Sequence, residues 1–441
     1  MTRLRGKTLK NIYFNQTSPG LHPFLKLSFV AFVSLLPIAL FAQDSLLNVQ
    51  TTDMHPDSPI DKRLRLLTGT TPVDIIDIGI HLAHPAAPLR AEKPLMKSGR
   101  VYASALPSVQ YTLQTGFAAA VTGNFAFYTS EDVNANISNV VTSVNYSQKK
   151  QFFVPIEANI WTRGNKFNIQ TDWQYSIFPQ NTYGLGGFTT DADGYPIDYN
   201  YVRLYQTLLK TVATDFYLGL GYDYDNYWNI EEVNLPHDTT TDWDRYGFSH
   251  TSRSSGITFN VLYDGRRNEI NPIPGYYANV VLRSNFNFLG SDNNWTSLAI
   301  DARKYMHFPA NSKNILAFWS YNWFTVAGKP PYLNLASTAS DTYENLGRGY
   351  VQGRFRGQNL VYLETEYRFG ITANGLLGGV LFANAQSYTE PSTNHFEAIL
   401  PGYGFGIRVR VNKFSKTNVC LDYGFGANGS RGFFANLGEV F

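Results

Sequence analysis

Residues Leu346 to Phe369 read LGRGYVQGRFRGQNLVYLETEYRF, and the stretch has two halves. Gly347 to Gly357 sets Arg348, Arg354 and Arg356 among Gly347, Gly349, Gly353 and Gly357. Leu360 to Phe369 alternates, with Leu360, Tyr362, Glu364, Glu366 and Arg368 on one side and Val361, Leu363, Thr365, Tyr367 and Phe369 on the other. Period two marks a strand with a charged face and an apolar, aromatic face. In a soluble sheet the apolar face meets a core. In a transmembrane barrel it meets lipid, and the charged face lines the lumen. The rest of the chain decides between the two.

The same pattern recurs outward from this stretch. Lys166 to Phe178 sets Phe167, Ile169, Thr171, Trp173, Tyr175 and Ile177 against Lys166, Asn168, Gln170, Asp172, Gln174 and Ser176. Phe152, Val154, Ile156, Ala158 and Ile160 form another apolar row, and Val419, Leu421, Tyr423 and Phe425 alternate with Cys420, Asp422 and Gly424. From Pro107 onward about 16 such segments follow one another, each roughly 10 to 15 residues long, as tilted membrane-spanning strands require. The first starts near 108 and the last near 431. Tight connections fall at Arg163-Gly164, Gly290 to Asn294 and Asn412-Lys413. Long ones fall at Pro179 to Tyr195, Ile230 to Gly247 and Ala327 to Arg356. Short turns on one side and long loops on the other are the expectation for such a barrel. The fold class is therefore all-β, a transmembrane antiparallel β-barrel of about 16 strands with a long loop between strands 11 and 12. A soluble β-sandwich is the structural rival, and it leaves the export signal and the aromatic strands unexplained.

The 441 residues carry a net charge of +2, too balanced for an electrostatic nucleic-acid binder. Aromatics make up 15% and charged residues 16%, against roughly 25% charged in soluble domains. Leu27 to Phe41 is a long apolar run behind Arg3, Arg5, Lys7, Lys10 and Lys26. It is shorter than the roughly 20 residues of a spanning helix, so residues 1–42 read as a signal peptide cleaved after Ala42. Residues 43–106 read as a polar, Pro-punctuated lead-in or plug with one periodic piece, Val73 to Leu82, among Lys62, Arg63, Arg65, Arg90, Lys93 and Lys97. Residues 107–441 are the barrel. Cys420 has no partner for a disulfide and reads as a strand filler.

Arg348-Gly349-Tyr350, followed by Gly353-Arg354-Phe355-Arg356-Gly357 and by Glu364, Glu366, Tyr367 and Arg368, resembles the signature of the BamA/TamA-like outer-membrane assembly family, the bacterial surface antigen type. Tyr263-Asp264-Gly265-Arg266 through Pro274-Gly275-Tyr276, Tyr183 to Gly187, and Asn436 to Glu439 are weaker matches. The resemblance implies an outer membrane of Gram-negative type. It also implies an Arg348 loop folded into the lumen, with Glu364, Glu366 and Asp422 as its acidic partners. Phe433, Leu437 and Phe441 then form the terminal strand signal read by assembly machinery. Asn384 stands where the family carries an Asp, and residues 43–106 are too short and Pro-broken for a family periplasmic module.

The acidic tips Thr190 to Gly194 and Asp223 to Asn226 lack the oxygen spacing of a calcium loop. The eight histidines show no zinc-ligand spacing, and Gly402-x-Gly404-x-Gly406 precedes a strand rather than a helix. No serine elbow or catalytic cysteine pattern is present. The reading is a non-enzymatic barrel with no cofactor. The resemblance implies that it assists insertion or export of outer-membrane or surface proteins through a weakly paired seam between its first and last strands, with lipid and client or periplasmic accessory proteins as partners. The Gly-rich run Gly424 to Gly432 fits such a seam. The alternatives are a passive channel or structural barrel, or one subunit of a larger envelope complex.

Overall fold

The computed structural model of the chain describes residues 69–91, 101–131, 135–235, 239–266, 268, 270–342 and 344–441. The expected signal peptide, with Lys62, Arg63, Arg65, Lys93 and Lys97, lies outside them. A short helix, α1 (Ile75–Ala83), precedes the strands β1 (Tyr102–Thr112), β2 (Gly116–Phe127), β3 (Ser138–Ser147), β4 (Phe152–Trp161), β5 (Phe167–Ile177), β6 (Tyr195–Ala213), β7 (Phe216–Glu232) and β8 (Thr251–Asp264). Then come β9 (Gly275–Asn285), β10 (Trp295–His307), β11 (Ile315–Gly328), β12 (Asn359–Gly370), β13 (Leu377–Tyr388), β14 (Leu400–Asn412), β15 (Thr417–Gly426) and β16 (Arg431–Leu437). These long strands and the three-residue piece Gln180–Thr182 form one sheet of 17 strands. β1 begins at Tyr102, ahead of the boundary expected at 107.

Each strand pairs antiparallel with the next, from β1–β2 to β15–β16. β16 returns beside β1, where the Leu113 side chain packs on Gly432. Among the described residues no backbone ladder joins these two strands.

Alternation sets the radial order. Leu218, Leu220, Ile257, Phe259, Leu363, Leu381, Phe405, Ile407 and Leu421 are exposed on the outside. Asp225, Thr258, Asn260, Glu366, Asn384, Gln386, Arg408 and Asp422, on the opposite rows, are buried inside. A ring that shows its apolar rows and hides its polar rows is built for a lipid exterior.

The two ends differ. The end holding the β4–β5, β6–β7, β12–β13 and β14–β15 turns has the shorter connections, and the end holding the β5–β6, β7–β8 and β11–β12 loops has the longer ones. The tight Gly290 to Asn294 segment sits with the long loops, because β9 runs toward that end. Asp223 and Asp225 lie on no loop tip. β7 runs past them to Glu232, so they face the lumen, where Asp225 meets Arg283 at 2.7 Å.

Candidate functional site

The β11–β12 loop enters the lumen and lies along the inner wall of β12 to β15. Its floor is prepared by glycines. A Cβ at Gly402 would stand 2.7 Å from the Arg348 carbonyl, and one at Gly424 would stand 2.8 Å from the Gly349 nitrogen. The Gly402 and Gly424 runs thus serve as a trough for the loop, which periodicity alone does not reveal.

Arg348 is fully buried. Its guanidinium donates to Glu364 and Glu366 on β12, and to Asp422 on β15 at 2.6 Å. It lies 3.8 Å over the Phe382 ring on β13. The register explains the convergence: Glu366 is opposite Phe382, Phe382 opposite Gly404, and Gly406 opposite Asp422. Arg408 donates to the same Asp422 at 2.5 Å and to Glu439 at 2.8 Å. Arg368 donates to Glu366 at 2.7 Å. The network therefore joins Arg348, Arg368 and Arg408 to Glu364, Glu366, Asp422 and Glu439. Buried charges persist in such a place only when each finds partners of opposite sign. The neutral Asn384 donates to the Arg348 carbonyl at 2.9 Å, so it touches the loop backbone.

The rest of the motif anchors the loop in several directions. Gly349 has φ +110°, and a Cβ there would stand 2.6 Å from the Phe425 carbonyl oxygen. The Tyr350 hydroxyl donates to the Pro401 carbonyl at 2.5 Å and accepts from the Ala427 amide at 2.7 Å. Arg354 reaches Asp191 at 2.9 Å and the Thr189 carbonyl at 2.8 Å, which gives Asp191 a partner in the protein itself. Arg356 donates to the Tyr332 carbonyl at 3.0 Å, and its own carbonyl accepts from Gly186 at 2.7 Å. Gly353, at φ +71°, turns the chain between Arg348 and Arg354. Glu390 accepts from Gly187 at 2.7 Å, so the β5–β6, β11–β12 and β13–β14 loops are laced together. Trp243, from the β7–β8 loop, stacks on Tyr332 with ring centroids 4.4 Å apart.

Several ties converge on the last strand. Ser430 donates to the Gly349 carbonyl at 2.7 Å, Asn436 to Asn345 at 3.0 Å, and Asn345 to the Val440 carbonyl at 2.8 Å. Phe433 and Leu437 are exposed on the outer face of β16. Phe441 lies beyond the strand. Gly438, at φ +93°, turns the chain inward, and Phe441 is buried on Trp319 with centroids 5.1 Å apart. Nothing in the alternation signals this reversal. The buried Cys420 thiol donates to the Gly438 carbonyl at 3.0 Å beneath the turn. The other half of the lumen holds a cavity of about 560 Å³ lined by Arg203, Asp172, Tyr205, Arg283 and Arg303 among others.

The Omp85 superfamily domain matches residues 132–441. The chain belongs to the Omp85 superfamily. It is similar in fold to BamA from Haemophilus ducreyi lacking POTRA domains 1–3, with a TM-score of 0.50 and 13% identity over 77% of this chain and 69% of that one. CdiB from Acinetobacter baumannii matches with a TM-score of 0.48 and 10% identity, over 77% of this chain and 60% of that one. No curated protein sequence matches. In this Omp85 chain the described lead-in, residues 69–91, is one helix with its flanks, moored on the β12–β13 and β14–β15 turns.

Proposed function

We propose that this Omp85 barrel sits in the outer membrane of a Gram-negative-type bacterium and assists insertion or export of outer-membrane or surface proteins. The seam between β1 and β16 is the working element. A strand edge released there offers unpaired backbone groups to an incoming strand. The observation that carries the reading is the uneven hold on the two seam strands. Among the described residues, β16 and its flanks are fastened to the lumenal loop through Ser430, Asn436 and Val440, whereas β1 meets β16 without a backbone ladder. The loop, locked by Arg348, keeps the barrel closed and rigid behind that seam.

The test is a lock. Leu113→Cys with Gly432→Cys, joined by a short thiol cross-linker, ties β1 to β16. In proteoliposomes carrying the protein, locking should abolish assisted insertion of an unfolded test barrel, and a reductant-cleavable linker should restore it. Undiminished insertion by the locked protein would remove the seam from the mechanism. A large, steady conductance in planar bilayers would favour the passive channel instead.

A further inference from the structure

α1 meets the barrel through Asp74, Asp77, His81 and the apolar Ile78, and its other side carries no polar side chain. Its sequence is IIDIGIHLA, behind the N-cap Asp74. Asp74, Asp77 and His81 are its buried side. Asp74 and Asp77 cap the helix and both take Arg90. Lys413, in the β14–β15 turn, gives its amide to Asp74 at 2.8 Å and its ammonium to Asp77 at 3.0 Å. The Val73 amide donates to the Asn374 carbonyl in the β12–β13 turn at 3.3 Å. These bonds fix which way the helix faces.

At 3.6 residues per turn the opposite side collects Ile75, Ile76, Gly79, Ile80, Leu82 and Ala83. No polar side chain lies on it, and Leu82 is 63% exposed. Among the described residues the hydrophobic cluster at this corner joins Val73, Ile78 and Leu89 to Leu376 and Leu377; Ile75, Ile76 and Ile80 lie outside it and are half-buried. A helix bathed in water on its free side carries the reverse polarity. Two features point to what covers the free side. Leu376 continues the inward row of β13 and Leu377 belongs to its outward row, the row of the exposed Leu381, so the helix is moored at the rim of the wall and reaches its outer side. Ile371, at the start of the turn that anchors Val73, is itself 58% exposed, so the apolar band of the barrel runs on into the helix.

We infer that α1 is an interfacial anchor. It lies in the headgroup–acyl boundary of the leaflet at the short-turn end, with Ile75, Ile76, Ile80 and Leu82 in lipid. This rests on the lipid-facing reading of the barrel's outer rows and is independent of the seam. It assigns the lead-in a membrane-parallel course beside β13 to β15 and gives the protein a second lipid contact besides the strands.

The test uses the full chain in phospholipid vesicles. Leu82→Cys is labelled with an environment-sensitive fluorophore, and Asp193→Cys, on an exposed loop, is the control. The label at 82 should emit blue-shifted and be quenched by brominated acyl chains, and iodide should reach the label at 193 but not that at 82. Iodide quenching at 82 with no response to brominated lipid would overturn the proposal and leave that face to a protein partner. A second variant, Ile76→Glu with Leu82→Glu, keeps every bond to the barrel. Hydrogen exchange over residues 75–83 should rise at least tenfold in vesicles while strand protection is kept, and unchanged exchange would also overturn it.

Discussion

Arg348 and Arg408 share one carboxylate, Asp422, at 2.6 and 2.5 Å. The first guanidinium belongs to the lumenal loop and the second to the wall, so one buried acid fastens the loop to the barrel. Arg348→Ala leaves Glu364, Glu366 and Asp422 short of a partner in a buried place. We expect a loss of about 3–5 kcal/mol. Gel mobility after graded heating should show it, as a lower temperature for loss of the folded band. Protease should then cut between Gly347 and Gly357. Arg348→Met, which leaves the same acids one partner short, should lose a similar amount, because packing alone does not replace the charge.

Gly349→Ala tests the turn rather than the charge. A side chain there meets both a left-handed backbone and the Phe425 carbonyl. We expect a cost of about 1–3 kcal/mol, with Arg348 displaced from its acids. Combined with Arg348→Ala, the second change should cost much less than it does alone, since both act on one docked loop. Additive costs would show that the two residues act separately.

Tyr350→Phe removes one hydroxyl and leaves the Ala427 amide and the Pro401 carbonyl without that partner. The expected loss is about 1–3 kcal/mol. The decisive reading is local: hydrogen exchange at Ala427 should quicken while the β6–β9 strands keep their protection.

Acid should release the lead-in. Burial raises the Asp77 carboxyl, but hydrogen bonds from Lys413 and Arg90 outweigh it and hold the group below its ordinary value. A lowered carboxylate stabilises the folded form above the unfolded pKa, and that contribution fades as pH falls through the folded one. Detachment of α1 should therefore appear below about pH 4, the ordinary carboxylate range. Hydrogen exchange over residues 73–90 should show it while the barrel remains folded. Asp77→Asn should detach the helix at neutral pH.

Much of this was legible in the residues. Strict alternation in Phe167 to Ile177 and Leu360 to Phe369 marks strands whatever their neighbours do, because each side chain answers to the medium on its own side. The Arg348 motif was visible through the Glu364 and Glu366 row that follows it. Three things were not. Gly290 to Asn294 is short, yet lies among the long loops, since length does not say which end a turn occupies. Asp223 and Asp225 looked like a loop tip because β7 outruns the apolar band and carries acids inside. The inward turn at Gly438 is decided by distant groups, Trp319 on β11 and Asn345 in the loop, which no local pattern contains.

The sulfur of Cys420 carries a practical corollary. It is wholly sealed from solvent under the last strand, and a thiol so placed is slow to react with reagents. Any cysteine introduced on the outside is then the reactive one, with no native residue to remove first. Maleimides, spin probes and photo-active tags can be placed at will on the working protein, so its movements can be followed in the sequence it already has.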